Sequence, residues 1–414
     1  MMKKYKLGDL VEVSRGASLS GNYYATSGNY IRLTCGNFDY HNNCFKENYS
    51  KDNLFYTGDF KDDFLLEKGD LITPLTEQAI GLLGSTAWIP ESGKYIQSQD
   101  IAKITCKEEL LDKKFAYYLF SSNMVKQQLS AAAQQTKIRH TSPDKIKDCT
   151  VWIPSLSEQT QTGQLLFDID CKMEINRAIN HNLEAMAKQL YDYWFVQFDF
   201  PDENGKPYKS SGGKMVWNEV LKKYVPEGWE IASLRDIVDL EDSKRVPLSN
   251  AQRAGRKGNY PYYGATGIMD YIDDFIFDYD ILLLAEDGST SDANGFPVVQ
   301  YVWGKVWVNN HAHIILPKDR DHLVYTYFLL KGIPIKLIET GSIQKKISQD
   351  NLLVYKTLNA PKYIRDIYTE RMSALWEQKK LATEEIMQLT KQRDELLPLL
   401  MNGQASVNYD LSHD

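Results

Sequence analysis

Two kinds of hydrophobic pattern alternate along the 414-residue chain. Residues 1–155 and 227–360 carry short apolar or alternating runs separated by turns rich in Gly and Asn, and such runs are typical of β-strands. Residues 157–198 and 362–402 contain almost no Gly or Pro, and their apolar positions recur at alternating steps of three and four. This spacing is typical of helices that pack as a coiled coil. The pattern therefore predicts two β-rich parts, each followed by one long helix.

Polar residues interrupt the apolar seam of both predicted helices, at Asn176 and Asn180 in the first and at Lys379 and Arg393 in the second. Polar seam positions commonly fix the register and the partner of a coiled coil at some cost in stability. A helix of about 41 residues spans roughly 60 Å at ~1.5 Å per residue. Two such helices can bury their seams against each other, and we expect this packing to hold the two β-rich parts apart.

The two halves of the chain are also similar in sequence. The recurring segments are residues 7–13 and 234–240, 68–72 and 278–282, 115–120 and 325–330, and 132–138 and 341–347. Each match contains few identities, but the offset stays near 210 after an early insertion of about 17 residues in the first copy. The chain is therefore predicted to be a tandem duplication of a unit of roughly 200 residues, far longer than a solenoid repeat.

The overall charge excludes one class of protein but is compatible with basic patches on parts of the surface. The net charge of −7 excludes a uniformly basic nucleic-acid-binding protein of the histone kind. Three segments are nevertheless basic. Residues 126–147 carry five basic side chains against one acidic, residues 241–257 carry five against two, and residues 331–346 carry four against one. The first and third segments occupy equivalent positions in the two repeats.

These two equivalent segments combine cations with groups that can pair with base edges. Phosphate contacts need Lys and Arg, while base reading needs planar amides, hydroxyls or Arg. Residues 134–140 and 342–347 offer both. A solubilising surface loop is the alternative interpretation, but recurrence in both copies favours a role in DNA binding.

Sequence motifs for catalysis are scarce. The chain contains no GxxxxGK[ST] phosphate-binding loop, no GxSxG nucleophile motif and no Pro-Pro-aromatic or Pro-Cys motif of a DNA methyltransferase. Glu377 and Lys379, with Asp366 upstream, match the Asp…Glu-x-Lys motif of Mg²⁺-dependent nucleases. They lie on the long predicted helix, however, where Glu and Lys are ordinary solvent-facing residues. The chain is therefore predicted not to be an enzyme.

Groups of metal-ligating residues are equally scarce. The five cysteines form no CxxC pair, and Cys35, His41 and Cys44 lack a fourth ligand nearby. His311 and His313 alternate on a predicted strand and share one face, which favours a polar or ligand-contacting sheet edge over a metal site. No stretch approaches the ~20 apolar residues of a membrane span. We therefore expect a cytoplasmic protein without a metal or cofactor of its own.

Several motifs along the chain carry a resemblance to a known family. They are Val-Pro-Glu-Gly-Trp-Glu at 225–230, Leu-Arg-Asp-Ile at 234–237, Tyr-Pro-Tyr-Tyr-Gly-Ala-Thr-Gly-Ile at 260–268, Leu-Ala-Glu-Asp-Gly at 284–288, Trp-Val-Asn-Asn-His-Ala-His at 307–313, and the helix ends at 190–198 and 393–403. With the order of globular part, helix, globular part and helix, they make the chain resemble the specificity subunit of Type I restriction-modification enzymes. The resemblance covers almost the whole chain.

The resemblance implies an α+β fold with two β-rich target recognition domains in tandem repeat. Each domain is followed by a long helix, and the two helices pack as an antiparallel coiled coil with pseudo-twofold symmetry. The implied segments are 1–155 (first target recognition domain), 156–200 (first spacer helix), 201–226 (linker), 227–360 (second target recognition domain), 361–404 (second spacer helix) and 405–414 (C-terminal tail).

The resemblance also implies a subunit without catalytic activity. Each domain would read one half of a bipartite site in double-stranded DNA, and the helices would set the gap between the halves. Two adenine methyltransferase subunits would dock on this chain and use S-adenosylmethionine, and two motor and nuclease subunits would use ATP and Mg²⁺. Two alternatives stay open: a fused or stand-alone restriction nuclease, and a coiled-coil scaffold that binds proteins.

We predict two groups of DNA-contacting residues. The residues of the two recurring basic loops are Gln135, Lys137, Arg139, Ser342, Gln344, Lys345 and Lys346. The second group, from other parts of the second repeat, comprises Lys244, Arg245, Tyr263 and Thr266.

Overall fold

The computed structural model describes residues 2–77, 81–132, 139–341 and 345–407. The chain divides into two compact units. Unit 1 comprises residues 1–177 and 384–414, and unit 2 comprises residues 178–383. Each unit therefore contains one β-rich part and a segment of both long helices. Over the described residues, no helix combines the length and the apolar character that a bilayer crossing requires.

The strands are short, and most lie in the two β-rich parts. In chain order they are β1 (Lys3–Lys6), β2 (Val11–Arg15), β3 (Tyr24–Ala25), β4 (Tyr30–Arg32), β5 (Phe38–Asp39), β6 (Cys44–Phe45), β7 (Phe55–Tyr56), β8 (Leu71–Pro74), β9 (Thr76–Glu77), β10 (Ala87–Trp88), β11 (Tyr95–Ile96), β12 (Ile101–Cys106), β13 (Arg139–His140), β14 (Thr150–Ile153), β15 (Met215–Asn218), β16 (Lys223–Pro226), β17 (Glu230–Ser233), β18 (Val238–Leu240), β19 (Lys257–Tyr263), β20 (Ile268–Ile272), β21 (Phe277–Asp278), β22 (Ile281–Ala285), β23 (Val299–Val302), β24 (Lys305–Val308), β25 (Ala312–Pro317), β26 (Glu339–Thr340), β27 (Lys346–Ile347) and β28 (Lys356–Asn359).

The helices differ greatly in length, because two of them are the predicted long helices. In chain order they are α1 (Leu7–Leu10), α2 (Lys113–Ser121), α3 (Asn123–Ala132), α4 (Pro143–Lys147), α5 (Leu156–Tyr191), α6 (Leu234–Ile237), α7 (Asn250–Ala254), α8 (Leu323–Lys331), α9 (Gln349–Val354) and α10 (Lys362–Met401). A π-helical turn, Asp192–Val196, follows α5 directly.

The main sheet of unit 1 has the strand order β10-β8-β12-β2, and every neighbouring pair is antiparallel. Its central strand β8 is buried at all four residues. Successive side chains of a strand point to opposite faces, so Leu71 joins the core beneath α2 while Ile72 joins a second core on the other face. Burial on both faces explains why this strand is apolar without alternation.

The main sheet of unit 2 repeats this arrangement with the order β18-β25-β22-β23, again antiparallel throughout. Its central strand β22 is fully buried. Leu282 and Leu284 pack into the core that contains residues of α8, whereas Ile281 and Leu283 pack into the core on the opposite face. The shared strand order confirms the tandem repeat that the sequence predicts.

The long helices pack against each other within unit 1. Arg393 Nη1 of α10 lies 3.2 Å from Asp170 Oδ1 of α5, and Asn176 Nδ2 of α5 donates a hydrogen bond to Glu385 Oε2 of α10 at 2.7 Å. Residue numbers fall along α10 as they rise along α5, so the two segments run antiparallel.

Unit 2 contains the same kind of helix pairing. Asn180 Nδ2 donates to Thr383 Oγ1 at 2.8 Å, and Lys379 Nζ lies 3.3 Å from Glu184 Oε2. The pairing is again antiparallel. Every polar residue that interrupts the predicted seams therefore has a partner on the facing helix, which confirms an antiparallel coiled-coil packing within each unit.

The predicted linker contains a β-hairpin that the sequence analysis did not anticipate. Strands β15 and β16 pair antiparallel, with Trp217 opposite Tyr224. Both side chains are largely exposed, and their rings meet edge to face at 5.3 Å. The Gly, Pro and Ser content that indicates a linker is concentrated in residues 201–213, before the hairpin begins.

Candidate nucleic-acid interface

The eleven predicted DNA-contacting residues divide into those that the structure describes and those that it does not. Gln135, Lys137, Ser342 and Gln344 lie outside the described residues. The others are Arg139 in unit 1 and Lys244, Arg245, Tyr263, Thr266, Lys345 and Lys346 in unit 2.

Both basic loops return to the same place in their repeats, beside the end of the central strand. In unit 1 the backbone N–H of Thr141 donates to the carbonyl oxygen of Leu75 at 2.8 Å, just after β8. In unit 2 the N–H of Ile347 donates to the carbonyl oxygen of Glu286 at 2.8 Å, just after β22. The two loops that precede Thr141 and Ile347 are thus attached to equivalent strand ends.

Arg245 is enclosed beneath the basic loop of unit 2. Its Nη1 donates to Glu286 Oε2 at 2.7 Å and to the carbonyl oxygen of Ala312 at 2.9 Å, and its Nη2 lies 3.3 Å from Asp242 Oδ2. The Arg245 side chain is 12% exposed. These contacts hold Arg245 within the protein, while its contact with DNA stays a prediction.

His313 is the buried centre of this network. Its Nδ1 lies 2.6 Å from Asp242 Oδ2, and its Nε2 lies 2.8 Å from the carbonyl oxygen of Ile347. A carbonyl and an ionised carboxylate can only accept hydrogen bonds, so both ring nitrogens donate and the ring is an imidazolium. Burial alone would lower the pKa of His313, but the hydrogen bonds to Asp242 and Ile347 raise it above its ordinary value.

The pKa values of the carboxylates in this network shift in the opposite direction from that of His313. Burial alone would raise the pKa of Asp242, but the hydrogen bond from His313 brings it below its usual range. Burial likewise opposes ionisation of Glu286, and the hydrogen bond from Arg245 brings the pKa of Glu286 below its usual range. Asp242 and Glu286 are therefore ionised and neutralise the cations around them.

The lysines of the loop are more accessible than the arginine below it. Lys346 Nζ lies 3.0 Å from Glu286 Oε1, and Lys345 Nζ lies 3.2 Å from Glu339 Oε2. The two lysine side chains are 53% and 55% exposed. Their carboxylate partners are largely buried, at 13% for Glu286 and 11% for Glu339, but Glu286 also accepts from Arg245 and Glu339 from Thr290. The exposed ammonium groups can therefore turn to phosphates without leaving either carboxylate unpartnered.

Lys244, Tyr263 and Thr266 lie in three different surroundings. Lys244 is half-exposed, and its Nζ lies 2.9 Å from Glu241 Oε2. Tyr263 is mostly buried, and burial raises its pKa to about 12. Thr266 is exposed in the turn between β19 and β20. Among these three, Lys244 and Thr266 present polar groups to solvent.

Unit 1 has an ion pair at the base of its own basic loop. Arg139 Nη1 lies 3.6 Å from Glu77 Oε2 and 3.0 Å from Ser130 Oγ. Glu77 is only 6% exposed, and its Oε1 accepts a hydrogen bond from the N–H of Gly81 at 2.8 Å. A buried glutamate thus holds a basic loop residue, as Glu339 holds Lys345 in unit 2.

Asp242, Glu286 and His313 bring metal-ligating atoms within 4.8 Å of one another. Both His313 nitrogens carry protons in the hydrogen bonds above, so neither offers a lone pair to a metal. Arg245 and Lys346 also occupy the carboxylate oxygens of Glu286. The chemistry of this group fits an ion-pair network rather than a metal centre.

A second group of possible metal ligands, Asp319, His322 and Asp366, lies elsewhere in unit 2. Lys362 Nζ lies 2.8 Å from Asp319 Oδ2 and 2.8 Å from Asp366 Oδ1. The His322 Nε2 atom lies 2.7 Å from Asp366 Oδ1. A lysine therefore already neutralises both carboxylates where a cation would sit.

The sequence model of the Type I restriction modification DNA specificity domain matches residues 1–185 and 226–387, in two stretches that follow the two repeats. The chain belongs to this DNA specificity domain family. The resemblance to the specificity subunits of Type I restriction-modification enzymes is thereby confirmed.

Individual relatives agree with this assignment. The Type I restriction enzyme MjaIX specificity subunit of Methanocaldococcus jannaschii is 25% identical over 312 residues, which are 71% of this chain and 69% of the relative. The Type I restriction enzyme HindI specificity subunit of Haemophilus influenzae is 20% identical over 382 residues, covering 75% and 81%. The crystal structure of a Type I restriction-modification S subunit from M. genitalium has a similar fold, with a TM-score of 0.58 and 16% identity over 97% of this chain and 96% of that one.

The three residues of the nuclease motif considered for this DNA specificity protein do not lie together at one site. Asp366 lies eleven residues before Glu377 on α10, which is a separation of ~16 Å along a helix. Lys379 pairs with Glu184, and Glu377 pairs with Lys380. Lys379 is thus part of the contact between the two long helices, and Glu377 forms an ion pair within α10.

Sequence reasoning did not single out the acidic residues that organise the specificity domain's loops, namely Asp242, Glu286 and Glu77. One signal was present for Glu286, because it directly follows the five-residue apolar run of β22. Polar residues placed directly after a buried strand emerge at the sheet end, where loops gather. Asp242 offers no comparable signal in the sequence, because its contacts with His313 and Arg245 arise only when β18, β25 and β22 pair in the sheet.

Proposed function

We propose that the chain is the DNA sequence-recognition subunit of a Type I restriction-modification enzyme, without catalytic activity of its own. Each repeat reads one half of a bipartite site in double-stranded DNA. The observation that carries this proposal is the attachment of two basic loops to equivalent strand ends in the two repeats. Two copies of one reading surface suit a site with two separate halves.

Lysines and polar groups have different tasks in this proposal. Lys244, Lys345 and Lys346 contact phosphates, which bind without regard to sequence. Their half-exposed side chains support this role. Amide and hydroxyl groups, such as those of Thr266 in the turn between β19 and β20 and of Gln344 in the predicted basic loop, pair with base edges and supply sequence preference.

Replacing both loop lysines, in a Lys345→Ala and Lys346→Ala double variant, should weaken binding to all DNA sequences alike. Each phosphate contact adds about 0.9 to the slope of log affinity against log salt, so two lost contacts should flatten the slope by roughly 1.8. The measurement is DNA binding by the assembled methyltransferase over a series of salt concentrations.

A Lys214→Ala and Lys222→Ala double variant is the matched control. These lysines are 70% and 71% exposed, and each pairs with an exposed glutamate, whereas the glutamates of the loop lysines are largely buried. They lie at the hairpin of β15 and β16, so the control removes the same charge away from the loop. An equal effect of both double variants would contradict a specific role for the loop lysines.

The long helices are proposed to set the gap between the half-sites and to dock two adenine methyltransferase subunits. Large apolar side chains remain exposed on both helices: Ile175, Ile179, Met186, Leu381 and Met387. In this proposal the methyltransferase subunits contact these exposed apolar side chains. S-adenosylmethionine belongs to these methyltransferase subunits, and ATP and Mg²⁺ belong to two motor and nuclease subunits.

Removing one heptad, ~7 residues, from both α5 and α10 should shorten the recognised gap and leave both half-site sequences unchanged. A matched deletion keeps the seam residues facing each other, because whole heptads preserve the packing period. The measurement is methylome sequencing of a host that expresses the shortened chain with its methyltransferase partners. Altered half-sites with an unchanged gap would contradict the role of the helices.

The test of the whole proposal compares the methylome of a host with and without this chain. A bipartite adenine-methylated site that depends on the chain is the expected result. Incubation of the purified chain with DNA and Mg²⁺ should give no cleavage. Cleavage by the chain alone, or methylation that does not depend on it, would overturn the proposal.

A further inference from the structure

His311 and Asp287 form an exposed pair beside the basic loop of unit 2. His311 Nδ1 lies 2.7 Å from Asp287 Oδ1, and the two side chains are 47% and 27% exposed. Asp287 also forms an antiparallel β-bridge with Lys346. The imidazole therefore lies next to residues that are proposed to hold the DNA backbone.

The turn that carries His311 is held firmly by its neighbours. The backbone N–H of His311 donates to Asn309 Oδ1 at 2.8 Å, and Asn309 is only 3% exposed. The N–H of Asn309 donates to the carbonyl oxygen of Tyr263, and the N–H of Glu286 donates to the carbonyl oxygen of His311. A side chain on such a supported turn is positioned before a ligand arrives.

The contact with Asp287 determines which nitrogen of the His311 ring is left as an acceptor when the ring is neutral. An ionised carboxylate only accepts hydrogen bonds, so Nδ1 of His311 donates to Asp287. In the neutral ring the other nitrogen, Nε2, is then an acceptor. Nε2 has no hydrogen-bond partner among the described residues. Such an acceptor suits the exocyclic amino group of adenine or cytosine, which points into the major groove.

Unit 1 has a different pair at the equivalent backbone positions. The N–H of Leu75 donates to the carbonyl oxygen of Asp100 at 2.7 Å, and this bond corresponds to the one between Glu286 and His311. Thr76 Oγ1 lies 3.2 Å from Asp100 Oδ1. Asp100 therefore occupies the position of His311, with Thr76 in the position of Asp287. The equivalent positions therefore carry acceptors of different shape and charge, a carboxylate in unit 1 and an imidazole in unit 2.

We propose that His311, oriented by Asp287, reads one base pair of the half-site that unit 2 recognises, and that Asp100, oriented by Thr76, does so in unit 1. This inference rests on the proposed function. It assigns the two repeats different readers at one shared position. Each reader accepts a hydrogen bond from the base. The residue that orients it lies 24 residues away in sequence but next to it in the fold.

Two substitutions of His311 separate its two nitrogens. The His311→Asn variant keeps a polar group near the position of Nδ1 but lacks Nε2, whereas His311→Gln extends a polar group toward the position of Nε2. In the assembled methyltransferase, His311→Asn should lose roughly 10- to 100-fold of the discrimination at one base pair. His311→Gln should retain more of that discrimination. Competition binding and methylome sequencing measure both.

The pattern of loss identifies a base contact. One position of one half-site should become degenerate, while the other half-site, the gap and the salt dependence stay as in the wild type. A His41→Ala variant, at an exposed position in the turn between β5 and β6, controls for the loss of a surface histidine and should leave the methylome unchanged. A His311→Asn variant with an unchanged methylome, or with equal loss for every sequence, would overturn the inference.

Failure of this inference and failure of the proposed function are distinguishable. A wild-type chain that directs no sequence-specific methylation overturns the proposed function. A wild-type chain that directs methylation of a bipartite site, with His311 variants that direct the same methylation, overturns only the assignment of His311. Asp100→Asn supplies the corresponding test in unit 1, and the expected change falls on the other half-site.

Discussion

The Asp242→Asn variant should lose ~3–5 kcal/mol of unfolding free energy, because removing one partner of a buried ion pair leaves the other charge uncompensated. Asp242 and His313 have side chains that are 5% and 1% exposed and lie 2.6 Å apart. Arg245 also loses its contact with Asp242. The asparagine keeps the size of the side chain, so the loss reports the charge together with the acceptor oxygen that His313 and Gln349 share. Urea denaturation of the full chain measures it.

The pH dependence of this loss is a further check on the same pair. The pKa of His313 is raised in the folded state, so its contribution is fully present below the unfolded value of about 6.5. It declines as pH rises through the folded pKa. The pKa of Asp242 is lowered, so its contribution is present above about pH 4 and lost as pH falls through the folded pKa. The difference between wild type and variant should therefore be largest between about pH 4 and 6.5.

Asp239→Asn is the matched control for this experiment. Asp239 is exposed on β18, three residues before Asp242, and surface substitutions of this kind change stability by about 0.5 kcal/mol or less. Equal losses in the two variants, or a loss in Asp242→Asn that does not change with pH, would contradict the buried imidazolium.

The Trp376→Ala variant should destabilise the protein by ~3–5 kcal/mol, through lost burial and the cavity left behind. Trp376 is 4% exposed on α10 within unit 2. Its ring meets those of Tyr301, Tyr327 and Phe328 at centroid distances of 5.1, 5.5 and 5.9 Å. Differential scanning calorimetry and urea denaturation measure the loss.

Tyr363→Ala controls for the removal of an aromatic ring from the same helix. Tyr363 is 59% exposed near the start of α10, so its loss should change stability only slightly. A Trp376→Ala variant as stable as Tyr363→Ala would mean that the helix does not depend on the aromatic cluster of unit 2.

The helices and the repeat could be predicted because periodicity records which face of an element is buried. Asn176 and Arg393 appeared in the sequence as polar breaks in an apolar seam, and each has a partner on the facing helix. The near-constant offset between segments predicted two equivalent parts, and the two main sheets share one strand order. Both inferences use local pattern alone, without knowledge of strand register.

The network under the basic loop of unit 2 could not be predicted in the same way. Asp242, Glu286 and His313 are far apart in sequence, and β25 lies between β18 and β22 in the sheet and brings them together. Register cannot be derived from one sequence, since a shift of one residue would turn each side chain to the other face. For the same reason Arg245 appeared as a surface cation, although strand pairing encloses it.

The division of the chain between the two units has a consequence for folding during synthesis. Unit 2 is one continuous stretch, residues 178–383, whereas unit 1 combines residues from both ends of the chain. Leu400 and Met401 are buried in the core of unit 1. Synthesis proceeds from the N-terminus, so every residue of unit 2 is available before these two are made. Unit 1, most of which is translated first, can therefore complete its hydrophobic core only after unit 2 has been synthesised.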